Sequence, residues 1–188
     1  MMRAFLHALT ANLPGKIQLA EQHTDLLTRT PLYERYFVCR LPGGGCVYLH
    51  HYLRSDPDRG PHDHPWPWAI SIPLARGYIE ERVNGWTVDG PRVTRHARRP
   101  FVPRLLDGHE FHRIILPEGE TSWSLFIHGP YTKGWGFLRP VLAPLREIDG
   151  VPLPPRGWAY RGVRSFADSD PDWWSTACKG SELERAAP

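Results

Sequence analysis

Lysine is scarce in this chain of 188 residues. It stands only at Lys16, Lys133 and Lys179, and arginine carries nearly all the positive charge. The formal net charge is +3 with histidine neutral, too small to argue for a nucleic-acid partner. The one basic run, Arg95-His96-Ala97-Arg98-Arg99, is short and reads as a solvated loop. Cysteine is also sparse. Cys39, Cys46 and Cys178 form an odd set, which argues against a disulfide scaffold. No apolar run approaches the roughly 20 residues that a membrane helix needs. The apolar stretch over residues 5–13 is interrupted by His7, Thr10 and Asn12, so it does not read as a signal peptide. These absences lead us to expect a cytoplasmic protein with no membrane or nucleic-acid partner.

What is abundant points to strands and turns. The chain holds 20 prolines and 17 glycines, which suit many short strands rather than long helices. Phe5, Leu6 and Leu9 fall at helical spacing until Pro14-Gly15, and a weaker helical stretch follows over residues 17–27. From Tyr33 the pattern changes to aromatic and β-branched residues. Strands are expected over residues 33–41, 46–54, 68–74, 78–83, 86–88, 93–96, 101–102, 111–116, 122–128 and 135–138, with a hairpin at Asn84-Gly85. The predicted fold is an all-β, single-domain barrel or sandwich. Residues 1–30 form a short helical N-terminal segment, 31–140 the barrel, and 141–188 an extension anchored by Trp158, Trp173 and Trp174.

The chemistry concentrates in Pro61-His62-Asp63-His64-Pro65-Trp66-Pro67-Trp68. Histidines at i and i+2 of an extended segment point to the same side, where their rings can share one metal. The flanking prolines reduce the entropy lost in holding the rings. A third ligand must come from elsewhere. His112 lies on a predicted strand after Gly108 and is the candidate; His109, in the turn, is the alternative. His50 and His51 face opposite sides of the strand over residues 46–54, so one of them points inward as a base or alternate ligand.

With His62, His64, the later Gly77, and Pro103-Gly108-His112, residues 45–138 resemble the cupin superfamily. The glutamate usual after H-x-H is missing: Pro67, Trp68 and Ala69 stand there. The pattern is therefore similar to three-histidine cupins, of which the thiol dioxygenases, including cysteine dioxygenase, are an example. That resemblance implies a jelly-roll barrel and an Fe(II) site with open positions for O2 and a substrate thiolate. It also implies an arginine for the substrate carboxylate, among Arg54, Arg59 and Arg76, and a relay echoed loosely by Ser124, His128 and Tyr131. The expected catalytic set is His51, Tyr131 and Arg59, around a metal on His62, His64 and His112.

Three neutral imidazoles accept Fe(II), Zn, Ni, Cu or Mn, and Fe(II) is the expectation for a dioxygenase-type oxidoreductase acting on a small anionic substrate such as a thiol. Two other readings stay open: a non-redox binding or sensor cupin, and a sugar isomerase or epimerase that uses His50 or His51 as base. The oligomeric state stays open, a homodimer being one arrangement that would cover exposed sheet edges.

Overall fold

The computed structural model describes residues 1–21, 29–57, 60–141, 147–148, 151–152, 157–164, 170 and 172–183. One helix, α1 (Met2–Thr10), precedes the strands. These are β1 (Gly15–Glu21), β2 (Arg29–Arg40), β3 (Cys46–Tyr52), β4 (Trp68–Ala75), β5 (Tyr78–Thr87), β6 (Gly90–Arg98) and β7 (Arg104–Asp107). They continue with β8 (His112–Ile115), β9 (Ser122–His128), β10 (Trp135–Pro140), β11 (Glu147–Ile148), β12 (Val151–Pro152) and β13 (Trp158–Arg164). The fold is all-β in antiparallel sheets with a short N-terminal helix, the architecture of a single-domain jelly roll.

One layer is the six-stranded sheet β1-β2-β3-β9-β4-β7. The other is built from the sheets β6-β5-β8 and β10-β13. His62 joins these two: its backbone forms bridges with His112 of β8 and with Phe137 of β10. Leu138 N–H then donates to Pro61 O at 2.8 Å, and Asp63 N–H to Gly136 O at 3.1 Å, so the segment around His62 acts as a short strand between β8 and β10.

The large sheet is buried on both faces. Its inner face sends Phe37, Cys46, Tyr48, Ala69 and Phe126 into a cluster with Trp66 and Leu106. Its outer face carries Tyr36, Leu49 and Trp123, covered by Leu6 of α1 and by Leu13 and Leu183. Trp123 is fully buried, and truncating a buried aromatic of this kind costs roughly 3–5 kcal/mol. Towards the C-terminus, Trp174 stacks on Phe37 (centroids 4.2 Å, 7°) and Trp173 is buried against Tyr48. No helix among the described residues is long and apolar enough to cross a membrane.

Three local expectations are corrected. Residues 15–21 form a strand, not a helix: Lys16/Gln18 and Ile17/Leu19 also fit a period of two, and pairing with β2 overrides a weak helical pattern. Residues 22–28 of that stretch lie outside the described residues. Asn84-Gly85 is not the hairpin turn: β5 runs through it with a register shift between Val83 and Trp86, and the chain reverses between Thr87 and Gly90. Phe101 and Val102 are not a strand. Phe101 sits at φ 64°, and the strand begins at Arg104.

Candidate metal centre

The three histidines expected to converge do so: their candidate ligand atoms lie within 4.8 Å of one another. Sheet pairing accomplishes this. His62 N–H donates to His112 O at 2.9 Å, and His112 N–H donates back to His62 O at 3.0 Å. His64 lies two residues further on the same side, with its ring 5.1 Å from that of His62 and 4.9 Å from that of His112. The Nε2 atoms of His64 and His112 are 2.7 Å apart. Two ligands at right angles, each about 2.1 Å from one metal, stand about 3 Å apart, so this pair is close to the separation that a shared metal demands.

The segment is held from behind. Asp63, between the two histidines, points the other way: its carboxylate accepts Gly136 N–H at 2.7 Å and Tyr160 O–H at 3.4 Å, and pairs with Lys133. Gly108 lies so close that a Cβ there would meet Trp66 O at 1.6 Å. That approach lets His64 N–H reach Gly108 O at 3.1 Å. Only glycine fits there.

His112 is oriented by Glu80 of β5. Its Nδ1–H donates to Glu80 Oε1 at 2.8 Å, which leaves the Nε2 lone pair facing His64. The other oxygen of Glu80 takes hydrogen bonds from Arg98 Nε (2.6 Å) and Arg104 Nε (3.3 Å). Burial works to raise the Glu80 pKa, but His112, Arg104 and Arg98 outweigh it and bring it down to about 2. Burial first, then His112 and His62, pushes the His64 pKa well below the usual histidine value. The ring is thus neutral, as a metal ligand requires. Asp56 Oδ2 accepts Ile114 N–H at 2.7 Å and lies 4.0 Å from His62 Nδ1.

The rings line a cavity of about 70 Å³ between the two layers. Trp66, Leu106, Ile114 and Phe126 give it apolar walls, and Arg35 and His50 enter it from the six-stranded sheet.

The remaining expected residues that the structure describes lie outside the cavity. His51 is not in the cavity. It lies on the outer face of β3, where Nδ1 meets Glu34 Oε2 at 2.9 Å and the ring stacks on Trp123 at 4.3 Å. The inward member of the pair is His50, because β3 alternates and Tyr48, His50 and Tyr52 share the inner face. Tyr131 does not line the cavity either: it packs on His128 (5.6 Å) and Trp66 (6.2 Å). Arg59 lies outside the described residues. Arg54 and His109 are exposed, and Arg76 faces Glu120 at 3.4 Å. Ser124 is bonded to Ser71 at 3.0 Å, and His128 is buried among aromatics.

Sequence reasoning missed Glu80 and Arg35. A signal existed for each. Glu80-Glu81 are adjacent acids on a strand, so one of them must point inward. Arg35 shares the inward register of Tyr33 and Phe37.

No protein-family model matches the chain, and no curated protein matches it in sequence. Among solved structures it is similar to Fe(II)-HppE with alternative substrate (S)-1-HPP, at 9% identity over 60% of this chain and 56% of that chain, TM-score 0.43. It is also similar to hydroxypropylphosphonic acid epoxidase from S. wedmorenis, at 9% identity over 60% of this chain and 55% of that chain, TM-score 0.42. Oxalate oxidase in complex with the substrate analogue glycolate matches at 12% identity over 50% of this chain and 46% of that chain, TM-score 0.38. The chain spans about half the length of these structures. Likeness at this distance assigns no function.

Proposed function

We propose that this chain is a metal-dependent cupin oxidoreductase that uses O2, with Fe(II) held by His62, His64 and His112, acting on a small anionic substrate. The observation that carries the reading is the convergence of three imidazoles, His112 from β8 and His62 and His64 from the proline-stiffened segment paired with it, with two Nε2 atoms 2.7 Å apart. The donor set fits a divalent transition metal, since neutral imidazole suits iron, zinc, copper and nickel. When bound, Fe(II) supplies open coordination positions at which O2 and a substrate anion meet.

The chain's own residues do the rest. Glu80 holds the His112 tautomer and ring orientation. Trp66, Phe126, Leu106 and Ile114 keep bulk water from the cavity. An isomerase base is less well supported: His50, the inward histidine, already accepts a hydrogen bond from Arg35 Nε at 3.0 Å.

The test is anaerobic reconstitution of untagged protein with Fe(II), metal analysis, and O2 uptake with a panel of small carboxylates, phosphonates and thiols. The reading expects about one metal per chain, lost in His62→Ala, His64→Ala and His112→Ala, and uptake with at least one panel member. Equal metal in the alanine variants would overturn the ligand assignment. Metal without uptake above the metal-free control would overturn the oxygenase and favour a non-redox binding cupin.

A further inference from the structure

Asp63 faces away from its histidine neighbours, and the side to which it points holds an open cleft of about 620 Å³. That is a size typical of small-molecule sites. Asp63, His109, Lys133, Tyr160 and Gly162 are among its lining residues, and no residue lines both this cleft and the metal cavity. β10 and β13 form its floor, where Gly136 and Gly162 are cross-strand partners. Gly136 is glycine by necessity: a Cβ there would stand 2.2 Å from Arg161 O. Gly162 is under no such demand. A Cβ on it would meet nothing within 4 Å, and its φ is not in the left-handed region. The bulge in this strand pair falls on Val163, which has no partner, whereas Gly162 keeps its own. Glycine weakens a strand interior, and apart from bulges and bends it marks a place where a ligand or another backbone comes close.

The charges of the cleft cancel. Lys133 pairs with Asp63, whose carboxylate also accepts Gly136 N–H at 2.7 Å and Tyr160 O–H at 3.4 Å. An anionic ligand would compete with Asp63 for Lys133, and a cationic one with Lys133 for Asp63. Either would leave a largely buried charge unpaired, which is costly. An uncharged ligand leaves the pair intact and still finds a donor. An ammonium has three N–H groups; Asp63 takes one and Gly134 O, at 3.5 Å, a second. The floor sets the shape. Ladder hydrogen bonds run between the strands within the sheet, so a molecule lying over Gly162 meets neither a side chain nor an outward donor. A flat apolar ring face suits that surface, and Tyr160, 48% exposed, stands beside it as an aromatic neighbour.

We propose that this cleft is a second ligand site, for a small, uncharged, flat heteroaromatic ring that lies over Gly162 against Tyr160 and offers a carbonyl oxygen to Lys133. Each part of such a ligand answers a different part of the cleft. The ring face covers the bare strand, its edge or face meets the Tyr160 ring, and its carbonyl takes a charge-assisted hydrogen bond from the remaining Lys133 N–H. A saturated ring of the same size is thicker and has no π face to offer Tyr160. Binding there needs no metal and is independent of the oxidoreductase reading.

The test titrates nicotinamide and uracil into the metal-free chain, with cyclohexanecarboxamide as the saturated control and nicotinate as the charged one. The backbone amide NMR signal of Gly162 and calorimetry are the readouts. At least one of the two uncharged heterocycles is expected to move that signal saturably, and to bind His112→Ala as well as the parent. Both controls should bind more weakly. Gly162→Val fills the open space and should weaken binding by about tenfold or more. Valine suits a strand, so the thermal midpoint and the metal content of this variant should not fall. Tyr160→Ala should weaken binding by roughly two- to tenfold. No saturable shift, equal affinity in Gly162→Val, or equal affinity for cyclohexanecarboxamide overturns the proposal. Nicotinate bound as tightly as nicotinamide overturns the assignment of an uncharged ligand. Loss of binding in a folded His112→Ala chain would put the probe in the metal cavity and overturn the second site. Should Gly162→Val fail to fold, Tyr160→Ala and the Gly162 signal of the parent decide.

Discussion

His62 and His112 are partners in one antiparallel bridge, each backbone N–H bonded to the other's carbonyl. Two candidate ligands far apart in sequence are therefore positioned by sheet formation itself, before any metal binds. Metal should then stabilise a site that already exists, by about 2.7 kcal/mol at a free concentration 100 times the dissociation constant. His62→Ala keeps the backbone pairing, so its thermal midpoint in chelator should stay near that of the parent. The rise in midpoint on adding Zn(II) should disappear. Thermal unfolding with and without Zn(II) checks both; a variant that retains the rise would remove His62 from the site.

Glu80 is a positioning residue for His112. Glu80→Gln keeps an acceptor for Nδ1–H but removes the charge that Arg98 and Arg104 share. Loss of such a partner typically costs about 10- to 100-fold in metal affinity. Chelator competition on the folded variant should show a loss in that range, and unchanged affinity would mean that the ring is held by packing alone.

The legible part of this protein is what a period of two dictates locally. His62 and His64 share a side because they are two apart on a stiff segment, and His112 was found on a strand after a glycine turn. The parity of His50 and His51 was not legible. A sheet with one wet face shows which residues point inward, but α1 and Leu183 cover the outer face here, so both faces are apolar. His51 rests on Trp123 as comfortably as His50 rests on Phe126. Arg35 and Glu80 acquire meaning only once β2 and β5 are set in facing layers, which is non-local information.

That assignment of parity is testable. His51 bonds Glu34 and Thr121 and touches no part of the cavity. His51→Ala should destabilise the chain by about 1–3 kcal/mol, the scale for removing one hydrogen-bond partner of a buried polar group, and leave metal content unchanged. Denaturant unfolding and metal analysis read the two effects separately. Loss of metal from a folded His51→Ala chain would put this residue back in the site.

His128 supplies a different kind of sensitivity, to acid. It is fully buried, its Nδ1–H donates to Gly129 O at 2.6 Å, and its Nε2 has no hydrogen-bond partner. Burial lowers its pKa from 6.5 to about 4, only partly offset by the Gly129 bond. The sign follows from proton counting. Above pH 6.5 the ring is neutral whether the chain is folded or not, so it adds no pH dependence. Between 6.5 and about 4 the unfolded chain takes up a proton that the folded chain refuses, and stability falls as pH falls. The accumulated loss is about 3 kcal/mol at 1.36 kcal/mol per pH unit. His128→Phe preserves an aromatic ring among Tyr48, Trp66 and Phe126 and removes the titrating group. The slope of unfolding free energy against pH between 6 and 4 should therefore be shallower in the variant, by about one bound proton. Parallel curves for the two chains would show that His128 is not the group that the folded state keeps neutral.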